Sequence, residues 1–330
     1  MDDVLFARSQ MGMSLAFHIV FACVGIAMPV LMVVAEVLYR RRGDEQYLQL
    51  AKLWSRGTAV LFAVGAVSGT VLSFELGLLF PEFMRHAGPV IGMPFSLEGF
   101  AFFIEAIFLG LYLYGWRLLS PALHVFSGVM VALSGLLSAV FVTIVNAWMN
   151  APRGFRVENG VFVDIDPLAA MANPFAVHEV LHMAVAAYMA TAFAAAALHA
   201  WALLRNPGSG LHRKALAISL GLAVPMALVQ PLIGHYAGQV VAREQPVKLA
   251  AMEGLEKTQT HAPIHVGPVR IPAALSILAF NDPAAEVKGL EIVPEADRPH
   301  AVVRPAFQLM VLLGTLLAAL SVWAGWLWLR

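Results

Sequence analysis

Charge is what this chain has least of. Only 13% of its 330 residues are Asp, Glu, Lys or Arg, against about 25% in soluble domains. The 21 basic residues balance the 21 acidic ones. With no net charge there is no basic face for nucleic acid and no acidic tail for solvation. A single cysteine, Cys23, lies inside an apolar run. That excludes an internal disulfide, a CxxC zinc or redox site, and haem attachment through CxxCH. Internal repeats and low-complexity tracts are also missing. What is abundant is apolar: 60% of residues are of the AVILMFWYC set, and the mean hydropathy is +0.75. These values describe an all-α integral membrane protein.

Seven apolar stretches reach the roughly 20 residues that cross a bilayer core. They cover 14–39, 57–80, 95–116, 121–148, 176–204, 214–234 and 305–330. The first is too long for a signal peptide and follows Met1-Asp2-Asp3 rather than a basic segment, so it is expected to stay as a helix. Short-loop cations set the orientation. Arg40, Arg41, Arg42, Lys52, Arg56, Arg117, Arg205, Arg213 and Lys214 fall on one side; only Arg8, Arg85, Arg153 and Arg156 fall on the other. The N-terminus is therefore expected outside. Three parts follow: a six-helix membrane bundle over 1–234, a long extracytoplasmic loop over 235–304, and a seventh helix over 305–330. The loop is rich in proline (Pro246, Pro263, Pro272, Pro283, Pro294, Pro299). Loops of that length are usually functional.

An ionisable side chain in hydrocarbon costs about 2.5–3.5 kcal/mol on insertion scales, so each one is a candidate for function. The spans hold His18, Glu36, Glu75, Glu98, Glu105, His178, His182 and His199. Glu36 has Arg40 one turn away, and a surface ion pair accounts for it. His199 is expected at the interface. The others fall in one layer, the outer half, as does Met310 of the last helix. Histidines, a methionine and carboxylates facing inward from several helices suit axial ligation of haem iron. Zinc is disfavoured, because no helix offers His-x-x-x-His with a third ligand and a base in register. His178 and His182 share a face at i, i+4, and that spacing alone does not choose between them. Glu98 and Glu105 at i, i+7 share a face and could relay protons or ligate iron. Gly65 and Gly69 form a GxxxG that marks close helix packing.

The chain resembles subunit I of the cytochrome bd-type quinol oxidases, nearer the cyanide-insensitive branch. The resemblance is carried, in order, by Ala7-Arg8-Ser9-Gln10 leading to Phe17-His18, by Ser96-Leu97-Glu98-Gly99-Phe100 through Glu105, and by Asn146-Ala147-Trp148-Met149-Asn150. Asn173-Pro174 leading to Leu181-His182-Met183, Gln245-Pro246-Val247-Lys248 through Glu253, and Phe307-Gln308-Leu309-Met310 complete it. It implies that His18 is an axial ligand in the oxygen-reducing haem pair. His182 and Met310 would ligate the low-spin haem b, with His178 not a ligand. Glu98 would be the other ligand of a d-type haem, and Glu105 part of the proton path. Lys248 and Glu253 would serve quinol oxidation. Arg8 is expected to neutralise a haem propionate.

The implied activity is electrogenic oxidation of ubiquinol or menaquinol on the outer side, with reduction of oxygen to water. It would take place in the bacterial cytoplasmic (inner) membrane, with subunit II and a small single-helix subunit as partners and no nucleic acid. Two departures stand out. Gln308 occupies a position where many members have arginine. Members also usually continue through two further helices carrying a carboxylate for a second, high-spin haem b, and these are not in this sequence. A membrane haem b electron-transfer protein without a complete oxygen site is therefore the alternative. A haem-free channel would leave His182, Met310 and Lys248–Glu253 unexplained.

Overall fold

The computed structural model describes residues 3–267 and 269–329. In chain order the elements are α1 (Asp3–Arg42), α2 (Glu45–Leu79), α3 (Pro81–Tyr114), α4 (Pro121–Asn150), β1 (Arg156–Glu158), β2 (Val161–Val163), α5 (Pro167–Met171), α6 (Ala176–Arg205) and α7 (Gly210–Glu244). Then come α8 (Pro246–Glu253), β3 (Ile264–Val266), β4 (Val269–Ile271), α9 (Ala274–Phe280) and α10 (Val303–Leu329). Among the described residues seven helices, α1–α4, α6, α7 and α10, are long and apolar enough to cross a membrane. They outrun the apolar stretches: α1 starts at Asp3, α2 at Glu45, and α7 continues to Glu244. Hydropathy marks the residues that suit lipid, whereas a helix continues until a cap or a proline ends it. Asp44 caps α2 by accepting from the Gln46 N–H at 3.0 Å. Pro81 and Pro121 open α3 and α4, at the position where a missing N–H costs nothing.

The chain forms two compact units, Met1–Ala176 with Met183–Met226, and Val177–His182 with Ala227–Arg330. In the first, α1 packs along α2, and α4 packs on both α1 and α3. Lipid is as apolar as leucine, so close approach through small residues holds such helices together. A Cβ at Gly65 would sit 3.3 Å from the Phe21 Cβ, and one at Gly69 would sit 3.0 Å from the His18 ring. The GxxxG is therefore where α1 meets α2. A core of Met28, Leu31, Met32, Leu50, Trp54 and Tyr112 fills the half of the unit that contains the end of α1. The buried residues of α1 begin only at Ile26. Its first half, which carries His18, is more open, with Met13, Phe17 and Val20 exposed.

The structure corrects one polar assignment. Glu36 is not at a surface but fully buried. Arg40 Nε donates to it at 2.8 Å, and His124 Nδ1 lies 2.9 Å from both its oxygens. The ion pair with Arg40 is one side of a buried three-member cluster, which α4 completes by laying His124 over α1. His199 is buried within the protein. Trp54 Nε1 donates to its Nε2 at 3.1 Å, and its Nδ1 faces His212 Nδ1 at 2.9 Å.

In the second unit the stretch expected as a loop is folded. α8 packs on α10, and β3 and β4 pair antiparallel, Ile264 opposite Ile271. The Ser276 hydroxyl accepts from the Ala262 N–H at 2.9 Å and donates to the Ala285 carbonyl at 2.8 Å, tying α9 to the chain on either side. Gly254 ends α8 at φ 70°. The Arg304 guanidinium lies where a Gly254 side chain would be, with Nη1 only 2.7 Å from an added Cβ. Glycine meets both demands without strain.

Candidate functional site

The first cluster lies between α1 and α2. Gln10, Ser14 and His18 follow at i, i+4 and i+8 on α1, so they share one face; Ser68 and Glu75, seven apart, share a face of α2. The two faces meet rung by rung. Gln10 Nε2 donates to Glu75 Oε1 at 3.0 Å, and the Ser14 hydroxyl donates to the same oxygen at 2.9 Å. Glu75 Oε2 is buried with no partner. His18 Nδ1 lies 3.0 Å from Ser68 Oγ. Arg8 is exposed and ten residues before His18 on α1, about 15 Å along a helix axis.

Two further acids lie on α3. Glu98 accepts from the Ser138 hydroxyl of α4 at 3.2 Å. Glu105 is buried and packs against glycine backbone on two helices. A Cβ at Gly135 would fall 2.9 Å from its Oε1, and one at Gly25 would fall 3.7 Å away. The two carboxyls feel one another's charge. The sequence spacing put them on one face, and the structure adds a hydroxyl at Glu98 and a glycine seat for Glu105.

The second unit holds the other cluster. The Gln230 amide nitrogen lies 3.2 Å from His182 Nδ1 and 3.2 Å from the His182 carbonyl. Gln230 Oε1 is buried with no partner. Lys248, on α8, acts electrostatically on Glu179 and His178 of α6. Burial raises the Glu253 carboxyl above the usual carboxylate range, and the positive charge of Arg304 opposes that rise. Met310 is half exposed on α10. Sequence reasoning missed Ser68, Gln230, Glu179 and Arg304. Only Ser68 left a trace, beside Gly69 and in register with Glu75.

A family model described as "Cytochrome bd terminal oxidase subunit I" matches residues 6–330. The Bacillus subtilis (strain 168) protein named "Putative cytochrome bd menaquinol oxidase subunit I" is 37% identical over 98% of this chain and 76% of its own length. The "Cytochrome bd ubiquinol oxidase subunit 1" of the same organism is 29% identical over 88% of this chain. The chain spans 65% of that relative's length, less than two thirds. The solved structure of bd oxidase from Geobacillus thermodenitrificans superposes with a TM-score of 0.92 at 40% identity, covering 97% of this chain and 77% of that one.

The chain belongs to the cytochrome bd oxidase subunit I family. It is thus a multi-pass membrane protein of a bacterial respiratory oxidase family, whose members are oxidoreductases. The family implies haems, a quinol substrate and a second subunit.

Proposed function

We propose that this chain is the haem-bearing subunit of a quinol:oxygen oxidoreductase, with quinol oxidised at the second unit and oxygen reduced at the first. The observation that carries the proposal is that each unit builds a polar cluster around one histidine whose Nδ1 is engaged by a neighbouring helix. At His18, an acceptor at Nδ1 leaves the Nε2 lone pair for a metal. The residues fit haem on further grounds. The His18 half of α1 is the less tightly packed half. At His182 the Gln230 amide nitrogen, 3.2 Å from Nδ1 and donating to the His182 carbonyl at 3.2 Å, ties the ring to α7.

In this reading His182 and Met310 hold the low-spin haem b. His18 holds a haem of the oxygen-reducing pair, with Glu98 as the ligand of a d-type haem. A second high-spin haem b completes the family's set, and its carboxylate ligand is not assigned to any residue here. When bound, the haems supply one-electron transfer and the reduction of oxygen to water. Lys248 orients the quinol. Glu253, whose raised affinity for protons suits a base, takes a quinol hydroxyl proton on its carboxylate. Two quinols give four electrons and four outward protons; four protons from the other side, handed on through the Glu105 and Glu98 carboxyls, complete two waters. Each charge so separated is worth about 2.3 kcal/mol per 100 mV. The N-terminus lies outside, which puts 235–304 on the quinol-oxidising face. The enzyme works in the bacterial cytoplasmic membrane with subunit II, and a small single-helix subunit is a further partner.

The test is oxygen uptake by the purified complex, with ubiquinol and menaquinol analogues as donors. Lys248→Ala and Glu253→Gln should each raise KM for quinol or lower turnover while haem content stays constant. Unchanged quinol kinetics in both variants would remove the second unit from quinol oxidation.

A further inference from the structure

We propose that Ser68 is a positioning residue that sets the tautomer and aim of His18; the inference rests on the reading of His18 as a haem ligand. A serine hydroxyl has one proton and two lone pairs. Ser68 Oγ lies 2.9 Å from the Val64 carbonyl and 3.0 Å from the Gly65 carbonyl of its own helix. Neither carbonyl can donate, and the hydroxyl proton is assigned to one of them. What Ser68 presents to His18 Nδ1, 3.0 Å away, is therefore a lone pair. In that arrangement Nδ1 carries the proton, and the Nε2 lone pair is left for the metal.

Gly69, the next residue, supplies the other half of the device. A Cβ there would stand 3.0 Å from His18 Cε1 and 3.6 Å from both ring nitrogens. Cε1 is the nearest atom and the two nitrogens are equally farther, so the Cε1 edge of the imidazole approaches the space a Gly69 side chain would fill. Ser68 thus fixes rotation of the ring by a hydrogen bond, and Gly69 limits it by contact. The Gly65/Gly69 spacing does more than bring two helices together: it opens a seat for a ligand ring beside the hydroxyl that orients it. Hydrogen-bonded neighbours of this kind orient a ligating histidine and raise its basicity; losing one typically costs 10–100-fold in metal affinity or activity.

The experiment uses the whole oxidase and compares Ser68→Thr with Ser68→Val, two side chains of one shape that differ in a hydroxyl against a methyl. The readouts are haem content, the reduced-minus-oxidised spectrum and the midpoint potential of the haem assigned to His18. The low-spin haem b serves as an internal control for folding. Threonine should retain the wild-type spectrum. Valine should lose haem at the His18 site on dilution at 10–100-fold lower chelating stress, and the potential of what remains should move positive. Ser68→Ala should follow valine, which separates loss of the hydroxyl from crowding. If Thr, Val and Ala variants all keep the wild-type spectrum and potential, the proposal is overturned. It is also overturned if all three lose the His18 haem equally. His18→Ala separates the two levels: full haem content in that variant would overturn the ligand reading itself, whatever Ser68 does.

Discussion

Replacing His124 with alanine tests whether the Glu36 cluster is a buried charge site or a surface pair. Glu36 is 0% exposed, His124 1%, and Arg40 27% by side chain. Both His124 ring nitrogens face acceptors: Nδ1 is 2.9 Å from the Glu36 oxygens, and Nε2 is 2.9 Å from the Tyr112 carbonyl. Glu36 is thus held by Arg40 and His124 from two sides, of which only Arg40 reaches the edge. Breaking a buried pair by removing one partner costs about 3–5 kcal/mol. Because Arg40 remains, the lower end applies, about 3 kcal/mol, roughly a 10²-fold shift in the folding equilibrium. An exposed pair would cost about 0–1 kcal/mol. Urea unfolding of the purified oxidase in detergent can be followed by the fluorescence of Trp116, whose ring centroid lies 4.1 Å from that of His124. Replacing both partners, Glu36→Leu with His124→Leu, should recover much of the loss, because the one charge left, Arg40, reaches the edge. A His124→Ala loss below about 1 kcal/mol would refute the buried-charge account.

Other expectations are more local. Gly135→Ala places a Cβ 2.9 Å from Glu105 Oε1; oxygen uptake should fall by up to roughly 10²-fold, the effect of a misplaced reacting group, with the haem spectrum unchanged. Gln230→Leu removes the amide beside His182, and retention of the low-spin haem b should weaken 10–100-fold, read by its absorption after chelation or dilution. Glu253 binds its proton more tightly folded than unfolded, because burial raises its affinity. The folded state then holds the extra proton, so stability of the 235–304 segment should fall as pH rises from the usual carboxylate range through the raised value. Hydrogen exchange across that window reads the slope, and Glu253→Gln should flatten it. Gly254→Ala, at φ 70° and under Arg304, should cost at least about 1–2 kcal/mol, seen as faster proteolysis of the same segment.

Hydropathy alone located all seven long helices, because a bilayer demands about 20 apolar residues whatever the tertiary contacts. It misjudged their ends, since α7 runs on through His235 and Gln239 to Glu244, where polar residues suit water but keep the helix. The candidate ligands were legible because an ionisable group in a span has few reasons to be there. Their neighbours were not: Ser68 and Gln230 are ordinary polar residues whose significance lies in what they face. Glu36 illustrates the limit. Arg40 is one turn away and visible, whereas His124 is 88 positions off, so only the packing of α4 on α1 turns an i, i+4 pair into a buried cluster.

The most direct measurement is the dithionite-reduced minus oxidised absorption spectrum of the protein purified from its membrane, with extracted haem typed chemically, for the wild-type protein and for His18→Ala and His182→Ala. The account predicts low-spin b and d-type (chlorin) signals in the wild type. The low-spin b signal should vanish with His182→Ala, and the oxygen-reducing haem signals should be lost or altered with His18→Ala. A protein without haem bands, or one whose bands survive both substitutions, would contradict it.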